Sequence, residues 1–271
     1  MMRIFIRGSG RAARGRAGVP LCWIVGLLIA LGVLSGASLH AGPAPPDVNA
    51  VLAKLDDLYK SSGSIGRVEM TVVRPGSTRT LVMRVWTRGE DRALIIIDSP
   101  AREAGTATLR VGQNLWNYLP RIARTIRIPP SAMLSPWMGS DFTNDDLVQE
   151  SSYREDYNAR ITGRSTDPPG WQLRLDAKPD TVGLWRRIDL VVSDDGWLPV
   201  VERHYDRRGD LARVMRFDQV RVMGGRRIPT RVEVTPTGKP GHRTVMRYLE
   251  MQFNANVPES TFSLQRLEQN R

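Results

Sequence analysis

Residues able to do chemistry are few in this chain and scattered along it. Of three histidines, His40 lies beside an apolar N-terminal run. His204 and His242 stand apart, in no HExxH motif and no ligand-spaced cluster. The single cysteine, Cys22, lies inside the apolar run, so no thiol accompanies them. Asp141, Asp145 and Asp146 offer oxygen ligands but lack the spacing of a calcium loop, and they read instead as acidic caps of a helix beginning after Thr143. Asp194-Asp195 precede Gly196 and serve turn geometry. There is no GxSxG, no P-loop, and no GxGxxG that opens a helix after a strand. This reading assigns no catalytic residue, no metal and no cofactor, and it recommends no enzyme.

What the chain offers instead is apolar surface. Ala107 to Val111 has the pattern of a strand, Gly112-Gln113-Asn114 turns it, and Leu115 to Leu119 runs back. A third short strand lies around Thr125 to Ile128, and Pro129-Pro130 stops it. The segment Ser131 to Met138 follows, too short to span a membrane and too apolar to lie bare on a soluble surface. A sheet followed by a proline-hinged apolar flap predicts a concave apolar surface and its cover. The predicted wall comprises Val68, Met70, Val72, Leu81, Met83, Val85, Trp116 and Tyr118; the predicted lid contributes Met133, Leu134, Trp137 and Met138. Methionine suits such a surface, because its flexible thioether accepts variable shapes. Trp171, Trp185 and Trp197 flank strands and turns, where they either line the cavity or plug the barrel ends.

The elements that must position these residues are mostly strands. Asp47 is a good N-cap, and Val48, Val51, Leu52, Leu55, Leu58 and Tyr59 recur at helical spacing. An amphipathic helix of about four turns is expected there, ended by Ser61-Ser62-Gly63. Val68, Met70 and Val72 alternate with polar neighbours, Pro75-Gly76-Ser77 turns the chain, and Leu81, Met83 and Val85 return, which is a hairpin. Ala93 to Ile97 is wholly apolar, so both of its faces are covered. A short helix is expected over Asp145 to Ser151. Seven more strands are expected beyond it: Asn158–Thr162, Gln172–Ala177, Arg186–Val192, Pro199–Tyr205, Val214–Val220, Pro229–Thr235 and Thr244–Phe253. Turns at such regular spacing predict consecutive antiparallel strands, a meander, and about a dozen strands curl rather than stay flat. The expected fold is mainly β: a strongly curved antiparallel sheet forming an unclosed half β-barrel, with an N-terminal amphipathic helix and a short helical lid.

Composition limits the partners. Five arginines precede the apolar run Leu21 to Leu34, and small residues follow, with expected cleavage after Ala37 or Ala41. Basic, apolar, small is the order of a secretory signal peptide, with an uncleaved anchor as the alternative. Residues 1–41 are thus read as targeting and 42–271 as one domain. Removing the first 41 residues takes five arginines and no acidic residue, so the net charge of +11 becomes +6. That mild excess suits an anionic headgroup or membrane surface. The arginines are spread along strands with no basic-aromatic module, so nucleic acid is not a partner.

The order of these segments resembles a known family. An amphipathic helix and hairpins, then Leu115-Trp116-Asn117-Tyr118-Leu119-Pro120 running through Arg127-Ile128 to Gly139-Ser140-Asp141 and Asp145-Asp146-Leu147, then a strand meander, is similar to the LolA-like outer-membrane lipoprotein-sorting superfamily. The similarity is greatest to the branch associated with resistance-nodulation-division-type exporters. It covers about Asp47 to Phe262. The resemblance implies a periplasmic carrier that holds acyl chains of a lipoprotein or lipid and passes them towards the outer membrane. Its implied partners are an inner-membrane exporter or extractor and an outer-membrane acceptor. It also implies a strand arginine bonded to the lid, for which Arg67, Arg84, Arg92 and Arg110 are candidates. The alternative is a periplasmic sensor or accessory exporter subunit that uses the same fold for protein interaction.

Overall fold

The computed structural model describes residues 44–148, 152–179 and 185–269. The predicted targeting segment lies outside them. Residues 43–271 form one compact unit, and the sheet and all four hydrophobic clusters close within it. This stretch therefore carries its own core.

Helix α1 (Val48–Asp56) is capped as expected: the Asp47 carboxylate accepts from the Asn49 and Ala50 amides, each at 3.2 Å. It is shorter than the periodicity predicts. Leu58 turns away to pack with Leu198, Ile228 and Phe253, while Tyr59 stacks on Tyr248 at 5.1 Å, so tertiary contacts end the helix early.

Six strands follow: β1 (Gly63–Arg74), β2 (Ser77–Arg88), β3 (Arg92–Ser99), β4 (Ala107–Val111), β5 (Asn114–Leu119) and β6 (Arg124–Ile128). The lid segment holds 3-10 turns at Pro130–Ala132 and Trp137–Gly139, then α2 (Asn144–Val148) and α3 (Tyr153–Asp156). Seven more strands complete the sheet: β7 (Tyr157–Thr166), β8 (Pro169–Ala177), β9 (Arg187–Val192), β10 (Pro199–Tyr205), β11 (Leu211–Met223), β12 (Arg226–Pro236) and β13 (Arg243–Phe253). A C-terminal helix, α4 (Leu264–Glu268), was not foreseen by the pattern.

Among the described residues thirteen strands lie in one antiparallel sheet that does not close into a barrel, in the order β6-β5-β4-β3-β2-β1-β13-β12-β11-β10-β9-β8-β7. The expected meander is broken once. The strands first and last in the chain, β1 and β13, pair at the centre, from Ser64↔Phe253 to Val73↔Arg243. The strands joined by the lid, β6 and β7, are the two edges. The lid connection must therefore pass from one edge of the sheet to the other, and the topology itself lays it over a face. Gly63, where β1 begins, is tightly enclosed: a Cβ there would sit 2.3 Å from the Ala255 carbonyl oxygen, so only glycine fits.

Both faces of the N-terminal strands are covered. On β3, Ile95 and Ile97 face the lid, whereas Leu94 and Ile96 face Ala255, Val257, Phe262 and Leu267 of the C-terminal segment. This double cover is the reason for the unbroken apolar run in β3. On the other half of the sheet, Val51, Leu52 and Leu55 of α1 pack on Leu173, Leu175, Ile188, Leu190 and Val192.

Candidate functional site

The lid is seated on the sheet by two sets of contacts. Trp137 is 1% exposed and inserts with Phe142 among Val68, Met70, Val72, Leu81, Met83, Ile95, Ile97 and Val234. Its indole N–H donates to Thr108 Oγ1 at 3.0 Å, so the ring carries no unsatisfied donor into the apolar hollow. Beside it, Arg74 donates to the Gly139 carbonyl at 2.7 Å and to Asp141 Oδ2 at 2.9 Å, and Thr244 Oγ1 donates to the same carboxylate at 2.7 Å. Arg79 donates to the Met138 carbonyl.

The second set is a buried polar network. Asp146 closes a capping box with Thr143: the Thr143 amide donates to Asp146 Oδ2 at 2.7 Å, and the Asp146 amide donates to Thr143 Oγ1 at 3.1 Å. The same carboxylate takes both arms of Arg213, at 2.5 and 2.7 Å, and Arg213 is only 3% exposed. Arg213 also donates to His204 Nδ1 at 3.3 and 3.2 Å. A guanidinium has no acceptor, so Nδ1 carries no proton, and the neutral ring donates through Nε2 to Glu202 Oε2 at 2.7 Å. Tyr153 of α3 donates to Glu202 Oε1 at 2.7 Å. The Trp185 ring lies 4.5 Å from the Arg213 guanidinium carbon and 5.0 Å, edge on, from His204.

Burial pushes the His204 pKa down from its ordinary 6.5, and the adjacent Arg213 charge pushes it the same way. Burial alone would raise the Asp146 pKa, but the charge and hydrogen bonds of Arg213 outweigh it and hold that carboxyl below its usual range. Burial, with the neighbouring Glu202 carboxylate, raises Tyr153 well above its ordinary value. Tyr248 is pushed up to about 12 by burial. The tyrosines are therefore neutral phenols near neutral pH. At its far end the lid is fixed to α1: Asp56 accepts from Ser152 Oγ and the Tyr153 amide, both at 2.9 Å, and from Arg154 Nε at 3.1 Å.

Between lid and sheet lies a cavity of about 190 Å³, lined by Leu55, Leu58, Tyr59, Phe142, Tyr153, Tyr157, Trp185, Glu202, His204, Met215, Phe217, Val232, Met246 and Tyr248 among others. A second hollow of about 90 Å³ shares Tyr59, Asp146, Met246 and Tyr248 with it and extends to Val68, Met83, Val85 and Ile95. The enclosed space is apolar along most of its length and polar at the Glu202–His204 end. Among the described residues, no three or more His, Cys, Asp or Glu side chains are grouped to hold a metal ion.

Comparison with known proteins places this architecture. A family model described as "Uncharacterized protein" matches residues 89–269. No curated protein matches the chain. Among solved structures, a DUF1329 family protein from Desulfovibrio piger has a TM-score of 0.74 at 22% identity, covering 80% of this chain and 96% of that one. An outer membrane lipoprotein-sorting protein domain from Vibrio parahaemolyticus has a TM-score of 0.70 at 22% identity, covering 81% and 96%. A LolA superfamily protein from Nitrosomonas europaea has a TM-score of 0.67 at 22% identity, covering 80% and 98%. The chain belongs to the matched family, and its fold is LolA-like.

This LolA-like sheet gathers most of the predicted wall. Val68, Met70, Val72, Leu81 and Met83 share one buried cluster with Trp137, and Val85 and Met138 pack against it. Trp116 and Tyr118 do not join it. They pair with Leu109 and Ala107 in the β4–β5 register and pack on the opposite face, against the C-terminal segment. Met133 and Leu134 are half-buried and outside the buried clusters. None of the four arginines picked out as latch candidates stands where Arg213 does. Arg84 pairs with Asp98, Arg92 with Glu259, Arg110 donates to backbone carbonyls of Glu90 and Gly112, and Arg67 is exposed. Of the three late tryptophans, Trp185 lines the cavity, whereas Trp171 and Trp197 pack in the α1 cluster.

The sequence reading missed Glu202, Arg213 and Tyr153, and weighed His204 only as a zinc ligand. A signal was present. On β11 Arg213 is in phase with Met215 and Phe217, and on β10 Glu202 and His204 share one face, so charged residues occupy the inward alternation.

Proposed function

We propose that this protein is a periplasmic carrier which binds acyl chains of a lipid or lipoprotein between lid and sheet, and passes them to an acceptor at the outer membrane. The observation that carries this reading is the position of Trp137 and Phe142. They fill the apolar hollow that an acyl chain would occupy, next to a cavity that is already open. Val68, Met70, Val72, Leu81, Met83 and Val85 form the wall, with Met138 at the lid. The LolA-like fold of relatives, one of them a lipoprotein-sorting domain, supports the same reading.

The closed cavity of about 190 Å³ is smaller than the roughly 300–1,000 Å³ typical of a drug-sized ligand site. Loading therefore requires Trp137 to leave and the lid to move. An incoming chain contributes about 0.8 kcal/mol per buried methylene, which offsets the apolar contacts that Trp137 gives up. The Arg213–Asp146 pair sets the closed position against which the ligand competes. Pro129, Pro130 and Pro136 restrict where the lid bends.

Native mass spectrometry of residues 43–271 purified from a bacterial envelope, with lipid extraction in parallel, tests the carrier reading. A discrete bound acyl species is expected. A clean unliganded mass, together with failure to bind an apolar fluorescent probe, overturns the reading in favour of a sensor or exporter subunit. Spin labels on Ser135 and a β1 residue should move apart on loading, and a constant distance excludes a moving lid.

A further inference from the structure

We propose that the hairpin formed by β5 and β6 docks this protein on an anionic lipid surface. Between Glu103 and Asp141 the chain has no acidic residue, and three of its arginines there, Arg121, Arg124 and Arg127, lie on this hairpin. All three are exposed, and among the described residues none is in an ion pair. Arg127 donates to the neutral amide oxygen of Asn114. The Glu268 carboxylate of α4 accepts from Thr125 Oγ1 at 2.6 Å, on the face of β6 opposite Ile126.

Arg121 and Arg124 flank Ile122, which is 57% exposed, and Arg124 shares a face of β6 with Ile126, 43% exposed, whereas Arg127 lies on the Thr125 face. The turn that presents Ile122 contains no glycine. It closes through Ala123 at φ 49°, ψ 45°, a left-handed conformation that an L side chain disfavours. A hairpin tip that accepts this conformation while holding isoleucine out to solvent is shaped for an apolar partner. Flanking cations select an anionic one, because insertion of a few apolar side chains and attraction of basic ones add at a lipid surface.

Protection of a sheet edge does not account for the pattern. Edges are guarded by short strands, charge, proline, bulges or a covering element, none of which calls for exposed isoleucine, and the other edge shows charge used in this way. Arg160 and Arg164 of β7 are paired with Asp176 and Asp194. At β6 the arginines lack carboxylate partners, and the isoleucines add the apolar exposure that a guarded edge avoids. β6 also leads through Pro129 directly into the lid, so docking there brings the moving segment to the bilayer surface. The inference stands whether or not the cavity carries lipid.

Co-sedimentation of residues 43–271 with vesicles tests it. With equal parts phosphatidylglycerol and phosphatidylcholine the protein should sediment, and rising salt should release it. Arg121→Gln and Arg124→Gln should each weaken partitioning about fivefold, and Arg127→Gln, on the other face of β6, less. The double variant Ile122→Asp, Ile126→Asp should remain in the supernatant while its melting stays as in the parent, since both side chains are exposed. Failure to sediment with these vesicles overturns the proposal. So does equal sedimentation with phosphatidylcholine alone, or sedimentation of the arginine and isoleucine variants at the parent level.

Discussion

Residues 137–142 and residues 144–156 of the lid cross the same sheet, yet the first stretch adds the burial of two aromatic rings to its hydrogen bonds with Arg74, Arg79 and Thr244, whereas a buried polar network holds the second. Over β1 to β3, Trp137 and Phe142 meet methionine, valine, leucine and isoleucine side chains. Over β10 and β11, Asp146 and Tyr153 meet Arg213 and Glu202 in fixed geometry. Apolar contact is non-directional, and any ligand of similar polarity can replace it. A buried ion pair has one geometry and leaves an uncompensated charge when it is broken. The Trp137–Phe142 packing is thus the exchangeable end of the lid, and the Asp146–Arg213 pair its located end.

The sharpest way to break this contrast is to remove the located end. Arg213→Ala leaves Asp146 buried without its cation and His204 Nδ1 without its donor. It should cost about 3–5 kcal/mol in stability, measured as a shifted urea midpoint. A loss below about 1 kcal/mol would show that the pair is no better than a surface bridge. Trp137→Ala attacks the exchangeable end. Large-to-small core changes of this kind cost about 3–5 kcal/mol, and the lower end is expected here because the new space joins an existing cavity. The same variant should bind an apolar fluorescent probe more tightly than the parent, and weaker binding would argue against Trp137 as the occupant of the ligand's place.

The smallest effect is that of pH on the located end. His204 titrates below its ordinary 6.5 in the folded protein, so the unfolded chain takes up this proton first as pH falls. Stability is unaffected by His204 above 6.5 and declines below it. Asp146 acts at lower pH. Its folded pKa is depressed below 3.8, so its contribution is complete above that value and lost as pH falls further. Denaturant midpoints taken between about pH 7 and 5 should fall in the parent and flatten in His204→Gln, which keeps a donor for Glu202. Equal slopes in the two proteins would remove His204 from the account.

Much of the fold is legible from local pattern. The Asp47 cap, the hairpin of β1 and β2, the two-sided burial of β3 and the strands of the second half all follow from alternation and turn residues. Helix α1 is over-extended by the same reasoning, because Leu58 and Tyr59 keep the helical period while packing elsewhere. Trp116 and Tyr118 illustrate a second limit. Alternation places them on one face of β5, but both faces are covered there, so only the register with β4 decides which cover they meet.

The sequence by itself determined the local elements, the apolar segment with its prolines, and the absence of recognisable catalytic motifs, because these depend on neighbours a few residues apart. Tertiary structure alone decided that β1 pairs with β13, that the lid joins the two sheet edges, and that Arg74, Arg79 and Arg213 receive it rather than the four arginines singled out earlier. The physical reason is distance along the chain. Arg213 and Asp146 are separated by 67 residues, and no periodicity of two or of 3.6 carries information across such a gap. Only the pairing order of the sheet brings them within hydrogen-bond reach.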